Sequence, residues 1–335
     1  MADLKILLSE DEIKELGLTP PEDLTPLWEH WEKFIENRQK IGRSDDTLRG
    51  MYDVLRTLIK RTGICTVEEV NDFKSFRKLM WAQAEEYNWQ AQTLNDAIRK
   101  IRYYLEWLHK EEYIGEVKLK KIEKHKAQAK EQSTLTREQV LIVFQHISQR
   151  MPLYAGLQYY RDLLLFQVLQ LTGARNCEIL DMKADAIYQD PDDGQWKLRI
   201  QGRKQKGRAK FFLVEPYLVA TYNEYIARRQ NHPDGLKNEA LWVSAKDPDI
   251  EFSKHALKLL YRRISNEVGF KISGHRYRRF VATELARNGV DINDIKRHLG
   301  HTRLSTTELY IERSASLTAK SSSAMNIILK QAPSS

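Results

Sequence analysis

Along the N-terminal third of the chain, apolar side chains recur three or four positions apart, the spacing of one face of an α-helix. The first stripe is Leu27, Trp28, Trp31, Phe34 and Ile35, and Thr25-Pro26 ahead of it supplies a cap and a proline suited to the first turn. Leu48, Met51, Leu55, Leu58 and Ile59 form the second, preceded by several capping candidates between Ser44 and Thr47. Thr66-Val67-Glu68-Glu69 reads as a capping box, in which hydroxyl and carboxylate each satisfy a backbone N–H. It opens a helix with Val70, Phe73 and Leu79 inward. Leu94, Ile98, Ile101, Leu105 and Leu108 make the fourth stripe. Four amphipathic helices with short connections predict a compact helical domain over residues 24–115, and residues 1–23 read as a loosely held N-terminal arm.

Residues 116–133 break the pattern. Lysines crowd there with few large apolar side chains, so the stretch reads as a basic linker with Lys118, Lys120 and Lys121 as candidates for phosphate contact. A merely solvated charge run is the plain alternative. Thr136-Arg137-Glu138-Gln139 is a second capping box and opens a helix with Val140, Val143, Phe144 and Ile147 inward, at the head of a domain spanning residues 134–313. This domain is not purely helical. Trp196 to Ile200 and Ala209 to Val214 read as two strands flanking a basic turn, and Leu241-Trp242-Val243 as a third short strand, before helix returns over Phe252 to Val268. Residues 314–335 form a tail, a small polar tether followed by an apolar cluster of Met325, Ile327, Ile328 and Leu329 that a monomer must expose or tuck away.

Composition sharpens this picture in three respects. A chain of 335 residues with 41% hydrophobic content has enough apolar surface for two cores. Its formal charge of +8 favours a polyanionic partner. Cys65 and Cys177, far apart, suit a reducing cytoplasm better than a disulfide framework, and the early apolar run Leu4 to Leu8 is too short for a signal segment.

Three clusters carry the candidate chemistry. In "LTGARNCEIL", Gly173 can take the left-handed conformation that ends a helix, so Arg175 falls at the start of the next one with Glu178 placed to hold its guanidinium. In "SGHRYRRFVATEL", His275 and Arg278 sit three apart on roughly one helix face, with Val281 and Leu285 on the buried side and Arg276 turned elsewhere, towards solvent or DNA. In "HLGHTRLSTTELY", His301 and Tyr310 converge only if the helix breaks between them, and Leu299-Gly300 supplies the stop. Each cluster alone fits an ordinary surface pair or a core tyrosine.

Taken in order and spacing, "TGARNCEIL", the basic hairpin, "HRYRRFVAT" and "LGHTRLSTTELY" resemble the signature of the tyrosine recombinases, the lambda-integrase-like site-specific DNA recombinases. The resemblance covers about Thr134 to Glu312; the helical N-terminal domain resembles the family's SAM-like core-binding domain in size and placement only. The expected fold is mainly α with a small β-sheet, a helical DNA-binding domain followed by a mixed α/β catalytic domain. The resemblance implies that Arg175, His275, Arg278 and His301 surround a DNA phosphate, that Tyr310 is the nucleophile, and that Glu178 supports the first arginine. It also implies double-stranded DNA carrying recombination sites as substrate, a tetramer of the chain on two sites, and no membrane partner. Ungapped alignment sets Arg203 where the family's hairpin lysine usually stands. Arginine does not readily release a proton, so Lys204 is the preferred general acid and Lys206 the reserve, with Arg203 and Lys206 as further DNA contacts.

The chemistry requires these residue types. A phosphodiester gains negative charge in a pentavalent transition state, and fork-shaped guanidiniums on its non-bridging oxygens stabilise it selectively. A tyrosine hydroxyl, with a pKa of about 10, needs cations and a base to attack at neutral pH; His275 is the natural base and His301 a donor to phosphate. The resemblance implies a 3'-phosphotyrosyl intermediate that a second DNA end resolves, which conserves bond energy, so neither metal nor nucleotide cofactor is expected. A zinc hydrolase lacks the expected ligand spacings. A non-catalytic DNA-binding regulator leaves the constellation unexplained, and a type IB topoisomerase-like strand transferase or a protelomerase shares the chemistry.

Overall fold

The computed structural model describes residues 4–121, 134–149, 156–202, 209–231 and 238–300. The chain divides into two compact units, Met1–Glu131 and Gln132–Ser335.

The first unit is helical: α1 Glu10–Glu15, α2 Trp31–Lys40, α3 Asp45–Thr62, α4 Val67–Asn71, α5 Phe73–Glu86 and α6 Ala91–Lys110. The predicted stripes face its core, where Trp31, Phe34, Leu55, Ile101, Tyr104 and Leu108 are almost fully buried. The Thr66 capping box forms as predicted. The structure differs from the sequence reading at four places. Thr25-Pro26 opens no helix; Pro26 bridges Thr66, Leu27 donates to the Cys65 carbonyl, and helix starts at Trp31. The helix after Thr66 breaks at Asp72, whose extended backbone separates α4 from α5. The N-terminal segment is not loosely held: Leu7 and Leu8 are buried, the Trp31 indole donates to the Leu4 carbonyl at 2.8 Å, and Arg56 and Lys60 of α3 pair with Glu12. The head of the lysine-rich stretch also belongs to this core. Val117 and Leu119 are buried beside a 3-10 turn, Lys118–Lys121, and the Lys118 backbone donates to the Asn71 side chain at 2.9 Å. Lys118 itself is exposed between these two inward residues.

The second unit contains α7 Arg137–Ser148, α8 Leu157–Thr172, α9 Asn176–Leu180, strands β1 Ile187–Gln189, β2 Trp196–Gln201 and β3 Ala209–Leu213, then α10 Pro216–Gln230, α11 Lys254–Val268, α12 Gly274–Arg287 and α13 Ile292–Leu299. Helix α8 is apolar on nearly all sides, as a central helix must be, and packs against α7, α10 and α12. The sheet is antiparallel in the order β1-β2-β3, with Leu198 opposite Phe212 and Ile200 opposite Lys210. The third strand is therefore Ile187–Gln189. Leu241 to Val243, predicted for that place, is buried and joins its neighbours only through isolated bridges at Ala240 and Val243. The turn between β2 and β3, with Arg203, Lys204 and Lys206, lies outside the described residues, as do His301, Tyr310 and the tail.

Candidate active site

Four chain segments converge at one end of α8. Thr172 ends this helix, and Gly173 follows with φ of 56°, a left-handed conformation open to glycine without strain. Space demands glycine as well, since a Cβ there would lie 2.8 Å from Leu299 Cδ2 and 3.2 Å from Val281 Cβ. The turn delivers Arg175 to the N-cap of α9. Its backbone N–H donates to Glu178 Oε2 at 3.0 Å, and its guanidinium donates to Glu178 Oε1 at 2.7 Å and to the Gly300 carbonyl at 3.0 Å.

Arg278, on α12, is almost fully buried. It donates to the Gly173 carbonyl at 2.9 Å and to the Leu299 carbonyl at 2.6 Å. The two arginines are thus fastened to adjacent carbonyls at the end of α13, and Arg278 also grips the turn that presents Arg175. His275, one turn before Arg278, is exposed at the start of α12, where the Ser273 hydroxyl caps the helix by accepting from the Arg276 N–H. Arg276 is partly buried, and its guanidinium donates to the Lys271 carbonyl.

Sequence reasoning missed Lys210. Its ammonium reaches Glu178 Oε2 and the Leu299 carbonyl, each at 3.5 Å, with the side chain 9% exposed. The available signal was parity: Lys210 alternates with Phe212 on the inward face of β3. Burial raises the pKa of Glu178, but the Lys210 cation and the Arg175 backbone N–H and guanidinium outweigh it and hold the carboxylate below its ordinary value. Burial lowers the pKa of Lys210, and the charges of Arg278 and Arg175 push the same way against the attraction of Glu178.

His298 is a different kind of residue. It is packed edge-on to Phe212, its Nε2–H donates to the Leu171 carbonyl at 3.1 Å, and burial brings its pKa down to about 4. Beside the site, a groove is walled by Lys254, Lys258 and Arg262, exposed at four-residue spacing on α11, and by Lys271. Among the described residues no group of three or more His, Cys, Asp or Glu could hold a metal ion, and no helix is long and apolar enough to cross a membrane.

The model of the phage integrase family matches residues 133–316, which takes in this whole cluster. The chain belongs to the phage integrase family. Tyrosine recombinase XerA of Thermococcus onnurineus is 23% identical over 289 residues, covering 86% of this chain and 91% of that protein. XerA of Thermococcus kodakarensis is 25% identical over 279 residues, covering 83% and 89%. Among solved structures, a lambda integrase tetramer bound to a Holliday junction superposes with a TM-score of 0.64 at 14% identity, over 90% of this chain and 81% of that one. XerH bound to palindromic difH in a post-cleavage complex gives 0.62 at 19% identity, over 81% and 79%. These likenesses extend past the family match into the helical first unit and bear out the mainly α fold with a small sheet.

Proposed function

We propose that this tyrosine recombinase cleaves and rejoins duplex DNA at specific sites, with Tyr310 attacking a phosphate held by Arg175, Arg278, His275 and His301. The enzyme class and the DNA substrate follow from the family and its DNA-bound members; the residue roles are our reading. What supports it is the convergence of Arg175 and Arg278 on the carbonyls of Gly300 and Leu299, since residue 301 follows directly in the chain. Two guanidiniums anchored in this manner are preorganised before substrate arrives, which is how charge stabilisation becomes selective for the transition state.

His275, exposed at the mouth of α12, takes the tyrosine proton. The leaving 5' oxygen receives its proton from Lys204, with Lys206 in reserve. Arg203, Lys206, Arg276 and the lysines at 118, 120 and 121 contact backbone phosphates, and Lys254, Lys258 and Arg262 on α11 add further contacts of the same kind. The reaction proceeds through a 3'-phosphotyrosyl intermediate in a tetramer on two sites; that lambda integrase binds a Holliday junction as a tetramer supports the assembly. Residues 24–115 serve as the core-binding domain, 116–133 as the connection and 134–313 as the catalytic domain. The cytoplasm, on host or element DNA, is the proposed place of action.

The test uses a nicked duplex carrying the site that the full chain selects from a random-sequence pool. Tyr310→Phe binds it with wild-type affinity and forms no covalent adduct on a denaturing gel. A persistent adduct assigns the nucleophile to another residue.

A further inference from the structure

Asn176 immediately follows Arg175, and nothing in the motif spacing assigns it a task. Its side chain leaves α9 and meets the first turn of α12. There the buried Tyr261 hydroxyl of α11 donates to Asn176 Oδ1 at 3.1 Å. Gly274, the first residue of α12, forms the facing wall: a Cβ at that position would overlap Asn176 Oδ1 and lie 3.0 Å from its Cγ and 3.2 Å from the Tyr261 hydroxyl. Gly274 is not among the glycines with positive φ. Its backbone is helical, so glycine is needed there for space and not for conformation. Together with Gly173, seated against Leu299 and Val281, this contact clamps both ends of the segment 173–176, and Arg175 lies between them.

We propose that Asn176 is a positioning residue: its amide, gripped between Gly274 and the Tyr261 hydroxyl, sets the separation of the α9 start that carries Arg175 from the α12 start that carries His275 and Arg278. This inference rests on the reading of those three residues as holders of the scissile phosphate. The amide acts as a spacer. Too little bulk lets the helix starts close, and an added methyl on residue 274 drives them apart.

Single-turnover cleavage and binding affinity, measured together on the selected nicked duplex with the full chain, separate positioning from binding. Gly274→Ala lowers the cleavage rate roughly 10²-fold, the scale of a displacement of about 1 Å, and changes Kd by less than about twofold. Combining Asn176→Ala with Gly274→Ala recovers about tenfold or more, because the new methyl occupies space the amide has vacated, a coupling expected of residues in direct contact. A Gly274→Ala enzyme at the wild-type rate, or a double variant no faster than Gly274→Ala, overturns the proposal. Should Gly274→Ala fail to fold, Tyr261→Phe probes the same contact from the other side. The lost hydrogen bond slows cleavage about threefold to tenfold at unchanged Kd, and an unchanged rate overturns the proposal. Failure of the underlying reading shows separately, as near wild-type cleavage by Arg175→Ala and Arg278→Ala.

Discussion

The two units bury different things. In the first, Thr66 is the one polar side chain buried among the described residues, and the interior is a cluster of rings in which Phe34 contacts Trp31, Tyr104 and Trp107 at centroid distances of 5.0 to 5.3 Å. The second unit buries Arg161, Asp162, Glu178, Arg229, Arg278 and Glu284. Each of these charges is costly out of water unless paired or hydrogen-bonded. Arg161 pairs with Asp162 at 2.7 Å, Glu284 is held by Arg137 at 2.6 Å and Arg287 at 2.8 Å, and Arg229 donates to the Ala240 carbonyl at 2.6 Å. An apolar interior suffices to make a rigid body. A site of the kind proposed for Arg175 and Arg278 needs cations held in place before the substrate arrives, and in the second unit Glu178 and the carbonyls of Gly173, Leu299 and Gly300 hold those two.

The strongest challenge to this contrast is a cavity in the first unit. Phe34→Ala removes a fully buried ring and costs about 3–5 kcal/mol of stability. Denaturant unfolding should show the first unit melting earlier while the second keeps its midpoint. A common shift of both transitions would mean that the two interiors are not independent.

The arginines sharpen the contrast within the second unit. With the roles proposed above, alanine at either Arg175 or Arg278 removes a donor to the developing charge and should slow cleavage about 10²- to 10³-fold. Stability should separate the two. Arg278→Ala leaves the Gly173 carbonyl without its donor in a buried place and the Leu299 carbonyl with the longer 3.5 Å bond from Lys210, a loss of about 1–3 kcal/mol. Arg175 is more exposed, and after its removal the buried Glu178 keeps the Lys210 cation and the residue-175 backbone N–H, so the loss should be smaller than that for Arg278. Equal destabilisation by both substitutions would place Arg175 in the structural network instead.

Legibility in the sequence follows the range of the interactions concerned. Capping boxes at Thr66 and Thr136, the left-handed Gly173 and the Arg175–Glu178 pair are settled within four residues, and all form as read. The order of the arginine and histidine motifs is legible because the chemistry leaves few alternative residue types. What escaped depends on distant partners. Leu7 and Leu8 are an ordinary short apolar run until α3 offers Arg56 and Lys60 to Glu12. Choosing Ile187–Gln189 over Leu241 to Val243 as a strand depends on which segment reaches the edge of β2. Lys210 acquires meaning only from Glu178, and Asn176 only from Gly274, each a partner distant from it in the chain.

The mildest probe of the comparison is pH, and it acts through His298. This ring is neutral in the folded protein at neutral pH: burial, the chief cause, outweighs its hydrogen bond to the Leu171 carbonyl and brings its pKa down to about 4, while an unfolded histidine titrates near 6.5. The unfolded chain therefore binds a proton first as pH falls, and protonation favours unfolding throughout the interval between the two values. The stabilisation is intact above about pH 6.5, declines below it, and is exhausted near pH 4, a total on the order of 3 kcal/mol. Glu178, its pKa lowered by Lys210 and Arg175 against the effect of burial, contributes stability that is present above the ordinary carboxylate range and is lost below it, in the wild type and the variant alike. Replacing the ring by an amide, His298→Gln, keeps a donor for the Leu171 carbonyl without a titrating group. Thermal unfolding of the two proteins from pH 7 to pH 4.5 should show the second-unit transition of the wild type falling more steeply than that of the variant, with the first-unit transition following one curve in both. Parallel second-unit curves would mean that His298 is solvated enough to charge without cost, and that this part of the second unit is no drier than an ordinary surface.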